Sequence, residues 1–421
     1  MTPRGKRHRV RWPRIILVSF VALVLVGVGT AYYVYRSAGT NLTAAAGNTG
    51  AFKGRINILL LGEGLIRNGS QDILNKPNLP DQTDVIMLIS IDTQTDQASL
   101  LSVPRDSEIN LPQAGGLNKI NDANFVGGPQ LAVKIVSKTV GVPINFYAET
   151  TILNFSQIIN DIGGLTIDVP YAMNYGNSNT AAGKFLDIHL KPGVQHLNGQ
   201  QVVEFVRFRE EALGDIGRIQ QEQYVVKLIL RKVLQPSEIT KLPQVITLLR
   251  KDITQTNLTT TQLIQLGLFG THLPLNQIRY ATLPGIPQTI NGIDYWKLDT
   301  NLLPVLRDDI LLSHLSEADR HRIHITVRAG TGSLAPAQSL ATWLQGEGFS
   351  VAAVVWANHH NHVTNTVQDY TGDKYLAGRL ALALGPRADT TVQEIPYHDV
   401  PGVDMVITVG STFHLNPKAP L

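Results

Sequence analysis

The chain has no cysteine among its 421 residues. That excludes a structural disulfide, a thiolate nucleophile and any cysteine-held metal. Charge is also scarce, at 16% of residues against 43% hydrophobic, and this balance excludes wholesale disorder. The length allows about two or three domains with cores of their own. Acids are missing from residues 1–14, which carry Arg4, Lys6, Arg7, Arg9, Arg11 and Arg14. The whole chain is +3, so removing those six positives leaves −3 on the rest. A general basic surplus is therefore absent, and no nucleic acid is expected as a partner. Two apparent motifs lack essential parts. Ala329-Gly330-Thr331-Gly332 has neither a third glycine nor a P-loop lysine, and reads as a plain turn. Asn358-His359-His360-Asn361-His362 lacks helical i, i+4 histidine spacing and a nearby acid, and reads as a solvated loop.

What the chain does have begins with Ile15–Tyr35, a run without charge. As a transmembrane helix it reaches about 30 Å, the thickness of a bilayer core. Trp12, Tyr32, Tyr33 and Tyr35 flank it as interfacial anchors, and the basic residues 1–14 predict a cytoplasmic N-terminus. A cleaved signal peptide is the competing reading. Against it, the run exceeds a usual signal core and ends in tyrosines rather than small residues. Residues 36–53 are small and polar and read as a tether. The expected arrangement is a single-pass cell-membrane protein with its main domains extracytoplasmic.

Residues 54–312 read as an α/β domain. Strands are predicted over Ile56–Leu61, Val85–Asp92 and Ala98–Val103, the last two joined as a hairpin by Thr93-Gln94-Thr95-Asp96. Gly128-Pro129 opens a helix that Gly141 closes. A helix over Phe155–Ile162 stops at Gly163-Gly164, and a strand over Leu165–Val169 stops at Pro170. Asn198 caps a helix over Gln200–Phe205, Gln262–Gly270 is a further helix, and Ile278–Leu283 is the last strand of this domain. Residues 324–413 form a smaller α/β domain. Its strands are His324–Arg328, Ser350–Trp356, Thr364–Tyr370 and Asp404–Val409, with helices Ala335–Gln345 and Lys374–Leu384.

Chemical potential collects at the ends of these elements. Val206-Arg207-Phe208-Arg209 reads as extended, so Arg207 and Arg209 project to one side. Arg218 sits just inside a helix predicted from near Asp215 to Leu234. Guanidinium forks beside a helix N-terminus suit a doubly charged anion such as phosphate. The plainer reading is a surface network of Arg207 and Arg209 with Glu210, Glu211 and Asp215. Asp84, Arg105, Asp106 and Lys119 add the cations and carboxylates that a pyrophosphate with a divalent metal needs. An apolar wall can be drawn from Val225, Val226, Leu228, Ile229, Leu230, Val233 and Leu234 with Leu131, Ile135 and Val136. Ordinary core packing explains the same residues equally well.

The ordered blocks are QTD ending at Asp84, SVPRD at 102–106, KIN at 119–121 and GGP at 127–129. DIGGLTIDVP at 161–170, PGVQHLNG at 192–199, VRFRE at 206–210 and DIGRIQ at 215–220 follow. Over roughly Gly54–Leu312 this series resembles the LytR-CpsA-Psr (LCP) family of cell-envelope proteins. The resemblance implies an α-β-α sandwich around a mixed sheet, with a greasy cleft for a polyprenyl chain. It implies a transferase that moves an anionic glycopolymer from a polyprenyl-pyrophosphate carrier to peptidoglycan as a phosphodiester, with Mg²⁺ (or Mn²⁺). Its partners would be that lipid-linked glycopolymer, peptidoglycan and membrane lipid. The resemblance places Arg105, Lys119, Arg207, Arg209 and Arg218 around the pyrophosphate and Asp84 at the metal. The acceptor hydroxyl also needs a base, and Asp84 and Asp106 are the carboxylates that can serve, a role the sequence does not assign between them. Three positions depart from the family pattern. Gln82 stands where an arginine is common, Gly64 where an aspartate is common, so that carboxylate is absent or displaced to Glu63 as a second metal ligand beside Asp84, and Gln221-Glu222 where Arg-Gln is common. Residues 324–413 resemble the C-terminal domain found behind LytR-type transferases and read as a docking module. Two alternatives remain beside the enzyme: a non-catalytic polyprenyl-phosphate-binding or scaffold protein, and a cell-envelope-related transcriptional attenuator, which the exterior topology disfavours.

Overall fold

The apolar run at Ile56–Leu61 becomes the middle of a mixed six-stranded sheet. Its strands are β1 (Arg55–Glu63), β2 (Thr83–Asp92), β3 (Gln97–Ser102), β4 (Phe146–Thr151), β5 (Gln255–Thr256) and β6 (Arg279–Thr282). Their order is β5-β4-β1-β2-β3-β6. Strands β1, β2 and β3 pair antiparallel, whereas β1 with β4 and β3 with β6 are parallel. The turn between β2 and β3 is the expected one, with Asp92 accepting from the amides of Gln94 and Thr95. This computed structural model describes residues 52, 54–64, 66–68, 71–73, 82–176, 188–208, 214–235, 246–247, 250–395 and 402–419. The expected transmembrane helix at 15–35, the tether and Arg209 lie outside the described residues. Among the described residues no helix is long and apolar enough to cross a membrane.

Helices around the sheet among the described residues include α1 (Asp122–Val140), α2 (Ile152–Asp161), α3 (Gly199–Arg207), α4 (Gly214–Val233) and α5 (Thr260–Gly270). Helix α1 begins six residues before the predicted opening at Gly128-Pro129 and is broken there, with Gly128 at φ +65°. Asn198 caps α3 as expected: its side chain accepts from the Gln201 amide at 3.0 Å, and Gln201 accepts in return from the Asn198 amide at 3.1 Å.

The sheet uses its two-residue period to separate two layers. Leu59, Leu61, Leu101 and Ala281 join Ala132 and Val136 of α1 in one core. Ser102 and Thr282 face the other way, where α4 lies. There Gln223 donates to Ser102 Oγ at 2.9 Å, the Ala281 carbonyl at 3.0 Å and Thr282 Oγ1 at 3.3 Å. A separate core of Ile159, Val202, Phe205 and Val225 binds α2, α3 and α4 together. The apolar wall drawn from the sequence is thereby divided. Val136 belongs to the first core and Val225 to the second, so the two sets do not line one pocket.

Two further strands, β7 (Gly285–Ile290) and β8 (Ile293–Leu298), form a hairpin beyond Ile278–Leu283, which the sequence reading makes the last strand of the domain. Pro287 hides this ribbon from a propensity argument, yet proline is tolerated in a two-stranded edge. The C-terminal unit contains β9 (His324–Ala329), α6 (Ala335–Gly346), β10 (Ser350–Trp356), β11 (Asn365–Asp369), α7 (Lys374–Ala383), β12 (Thr390–Glu394) and β13 (Met405–Val409). Its sheet order is β10-β9-β13-β11-β12 around a core that includes Ile325, Val327, Leu340, Leu376 and Ile407. Contacts gather Gly54–Leu421 into one unit. The Tyr375 ring lies between the guanidinium groups of Arg279 and Arg379, 4.5 and 4.7 Å from its centre. Arg379 also pairs with Asp309, and the Thr282 amide donates to the Gly372 carbonyl at 3.0 Å.

This junction buries acids. Asp369 is fully buried, and burial pushes its carboxyl up to about 7 against hydrogen bonds from Thr371. Burial raises Asp373 in the same direction, and the neighbouring Asp309 charge adds to it. A raised acid keeps its proton in the fold while the unfolded chain loses it, so stability falls as pH rises from the ordinary carboxylate range to about 7. Asp369→Asn should therefore melt higher than the parent at about pH 8 and match it at about pH 4, as thermal unfolding would show.

Candidate functional site

The site starts where β3 ends. The Ser107 amide donates to the Pro104 carbonyl at 3.0 Å and closes a turn with Arg105 and Asp106 at its centre, beyond the sheet. Residues 108–111 then pair with 116–119 as a small hairpin, with Glu108 opposite Lys119. The hairpin returns Lys119 to Asp106, while the first turn of β2 contributes Asp84. The result is a row of alternating charge. Arg105 Nη1 donates to Asp84 Oδ1 at 2.5 Å, Arg105 Nε lies 3.7 Å from Asp106 Oδ2, and Lys119 Nζ donates to Asp106 Oδ1 at 2.8 Å. These side chains are 23–39% exposed. At such exposure each pair adds about 0–1 kcal/mol to stability, too little to explain why three segments converge here. The row is better suited to exchanging its carboxylates for an incoming anion.

The faces of α4 set where Arg218 points. Successive α-helical residues turn by about 100°. Ile219 packs on Trp296, whose amide donates to the Asp106 carbonyl at 2.8 Å. On the other side, Gln221 turns its amide nitrogen to the carbonyls of Phe205 (3.1 Å) and Phe208 (3.0 Å) at the end of α3. Arg218 and Glu222, four apart, share the stripe between these two contacts. That stripe therefore lies between the Arg105-Asp106 turn and the α3 terminus that carries Arg207. Arg218 Nε is 3.6 Å from Glu222 Oε1, with the two side chains 13% and 10% exposed.

Two expectations need correction. Val206 and Arg207 are helical, since α3 continues through Arg207 and only Phe208 turns extended. Arg218 is the fifth residue of α4, past the free amides of the helix start. Arg207 and Arg218 are therefore carried by helix packing rather than by a strand and a helix N-terminus. Arg105 and Lys119 are joined through Asp106, Arg218 pairs with Glu222, Arg207 is the last residue of α3, and Arg209 lies outside the described residues.

Glu63 sits at a bulge in β1, opposite Thr83. Its carboxyl hydrogen-bonds that of Glu149, which is 1% exposed. Burial raises Glu149, opposed by the hydrogen bonds from Asn124 (2.6 Å) and with Glu63. The sequence reading passes over Glu149 because it is a lone acid in the strand FYAETT, without a motif. Asp84 has more room. A Cβ on Gly64 would lie 2.5 Å from Asp84 Oδ2, so a side chain at position 64 would make the Asp84 carboxylate shift. Among the described residues no three His, Asp or Glu side chains stand together as a metal cage. A single carboxylate completed by substrate phosphates and water fits Mg²⁺, and Asp84 is so disposed. Gln82, where the family pattern has arginine, donates to Asp122 Oδ1 at 2.6 Å. Cavities of about 480 Å³, at Leu382 and His414, and about 740 Å³, at His321 and Phe349, belong to the C-terminal unit and adjoin none of these charges.

The LytR_cpsA_psr family model matches residues 30–309, and the model described as LytR cell envelope-related transcriptional attenuator matches residues 322–413. A polyisoprenyl-teichoic acid–peptidoglycan teichoic acid transferase, TagU of Oceanobacillus iheyensis, is 31% identical over 251 residues, 58% of this chain and 71% of that one. An uncharacterised Staphylococcus aureus protein is 30% identical over 240 residues, and the match spans 56% of this chain and 58% of its length. The crystal structure of Bacillus subtilis TagV superposes with a TM-score of 0.53 at 22% identity, covering 63% of this chain and 99% of that one, which speaks for the fold alone.

Two variants separate an anion site from a structural network. Arg105→Ala should weaken binding of inorganic pyrophosphate more than about tenfold while changing stability by no more than about 1 kcal/mol. Glu222→Gln, which releases Arg218 without changing its shape, should tighten binding several-fold. Calorimetric titration beside urea melts checks both, and lost stability with unchanged affinity contradicts the reading.

Proposed function

The chain belongs to the LytR_cpsA_psr family, and on that premise we propose that it is a membrane-anchored, extracytoplasmic phosphotransferase. It would take an anionic glycopolymer from a polyprenyl-pyrophosphate carrier and join it to peptidoglycan. The observation that carries the reading is the interleaved row of Asp84, Arg105, Asp106 and Lys119, with the Arg218–Glu222 pair on the α4 stripe that faces between the Arg105-Asp106 turn and the end of α3. Similarity to TagU, a polyisoprenyl-teichoic acid–peptidoglycan teichoic acid transferase, supports the choice of a polyisoprenyl-linked donor and a peptidoglycan acceptor. Half-buried apolar side chains along α4 and α5, among them Val226, Leu230, Leu263 and Leu266, support an apolar carrier chain beside the charges.

The cations bind the diphosphate and orient it. An acceptor hydroxyl attacks the glycan-side phosphorus, a new O–P bond forms, and the bridging P–O bond breaks with polyprenyl phosphate as leaving group. Arg105, Lys119 and Arg218 neutralise the charge that grows on that leaving group. Asp84 would hold Mg²⁺ or Mn²⁺ together with phosphate oxygens, and the metal would add further charge neutralisation. Asp106 is then the carboxylate left to take the hydroxyl proton, once the diphosphate has drawn Arg105 and Lys119 away from it.

A second reading, capture of polyprenyl phosphates without transfer, is favoured by Glu222 on Arg218 and by Gln82 held to Asp122. The test is the full chain in detergent with a polyprenyl-pyrophosphate glycan, peptidoglycan and Mg²⁺. The transferase reading expects release of polyprenyl phosphate and labelled wall, with Arg105→Ala about 100-fold slower. Tight lipid binding with no release would overturn it in favour of capture.

A further inference from the structure

The C-terminal unit touches α4 two residues from Arg218. Gln220 Nε2 donates to Glu394 Oε2 at 3.3 Å, across the boundary between the two sheets. Glu394 ends β12, its side chain is only 5% exposed, and Lys374 Nζ lies 3.5 Å from the same oxygen. A second link runs through the sheet. The Thr282 amide donates to the Gly372 carbonyl at 3.0 Å, and Thr282 Oγ1 accepts from Gln223 on α4. Position 372 is confined to glycine by its φ of +73° and because a Cβ there would meet the Thr282 carbonyl oxygen at 2.2 Å. Gln220 and Gln223, three apart, lie on neighbouring stripes of α4. Both are fastened, one directly by the C-terminal unit and one through a strand end that this unit holds.

From this juxtaposition we infer that the C-terminal unit is a positioning element for the arginine site: through Glu394 and Gly372 it fixes the rotation of α4 and so the aim of Arg218. The inference rests on the reading of Arg218 as a diphosphate ligand. An arginine tip stands roughly 8 Å from its helix axis, so a rotation of about 20° swings the guanidinium by about 3 Å. A displacement of about 1 Å is already enough to cost a positioned group much of its effect. Glu394 and Gln220 are positioning residues here, since neither reaches the substrate.

The experiment uses the full chain and inorganic pyrophosphate as probe, with amide hydrogen exchange of α4 measured in parallel. Glu394→Ala and Gln220→Ala should each weaken pyrophosphate binding about five- to tenfold and speed exchange over residues 218–224. The double variant should be no worse than either single one, because both remove the same link. Glu394→Gln keeps an acceptor for Gln220 and should restore affinity and exchange to within about twofold. Unchanged exchange in the alanine variants overturns the inference whether or not pyrophosphate binds. Faster exchange with undiminished affinity overturns it too. If the parent chain does not bind pyrophosphate, the functional reading is what fails, and the exchange data still decide whether the C-terminal unit holds α4.

Discussion

Cations that are to meet one anion must first be kept together without it. Bare guanidinium and ammonium groups a few ångströms apart repel by several kcal/mol at the effective dielectric of a protein surface, about 4 kcal/mol at 4 Å. This chain meets the constraint by interleaving carboxylates: Asp84, Arg105, Asp106 and Lys119 in one row, Arg218 with Glu222 beside it. On the proposed reading, the arrangement would become a cage when a diphosphate replaces the carboxylates as partner. The same interleaving sets its tuning, since each acid retained at the site lowers the net attraction for the ligand.

The geometry depends on α4. Its successive faces contact the end of α3 through Gln221, the Trp296 strand through Ile219, the strand ends through Gln223 and the C-terminal unit through Gln220. Arg218 and Glu222 occupy the stripe between the first two of these. Three glutamines thus do by hydrogen bonding what apolar packing alone does not do, which is to define rotation as well as proximity. A purely apolar seam tolerates small helix rotations, whereas an amide bonded to two or three fixed oxygens does not.

Much of the fold was legible because local signals agreed with tertiary outcome. Ile56–Leu61 is apolar at every position but Asn57 and is largely buried in the sheet. Asn198 with Gln201 forms the capping box that starts α3, and Ser350–Trp356 is a strand with the predicted bounds. The misses have physical reasons. Pro287 masks β7, and β12 reads as polar TTVQE because it is a sheet edge beside half-exposed neighbours. Arg207 was read as extended because its two-residue spacing with Arg209 suggests a strand, while the helix begun at Asn198 runs on through it. At the site, Asp84, Arg105, Asp106 and Lys119 were visible as charged residues at strand ends. Glu149, Gln220 and Gln223 were not, because a lone acid in a strand and a glutamine on a helix carry no pattern until the fold supplies their partners.

The central claim is that these basic side chains act jointly on one diphosphate. The most direct measurement is a crystal structure of the chain with a short-chain polyprenyl pyrophosphate bound. The account predicts phosphate oxygens within about 3 Å of Arg105, Lys119 and Arg218 together, with the Arg105–Asp84 and Arg218–Glu222 pairs opened. A diphosphate bound elsewhere, or bound while those pairs stay closed, would contradict it.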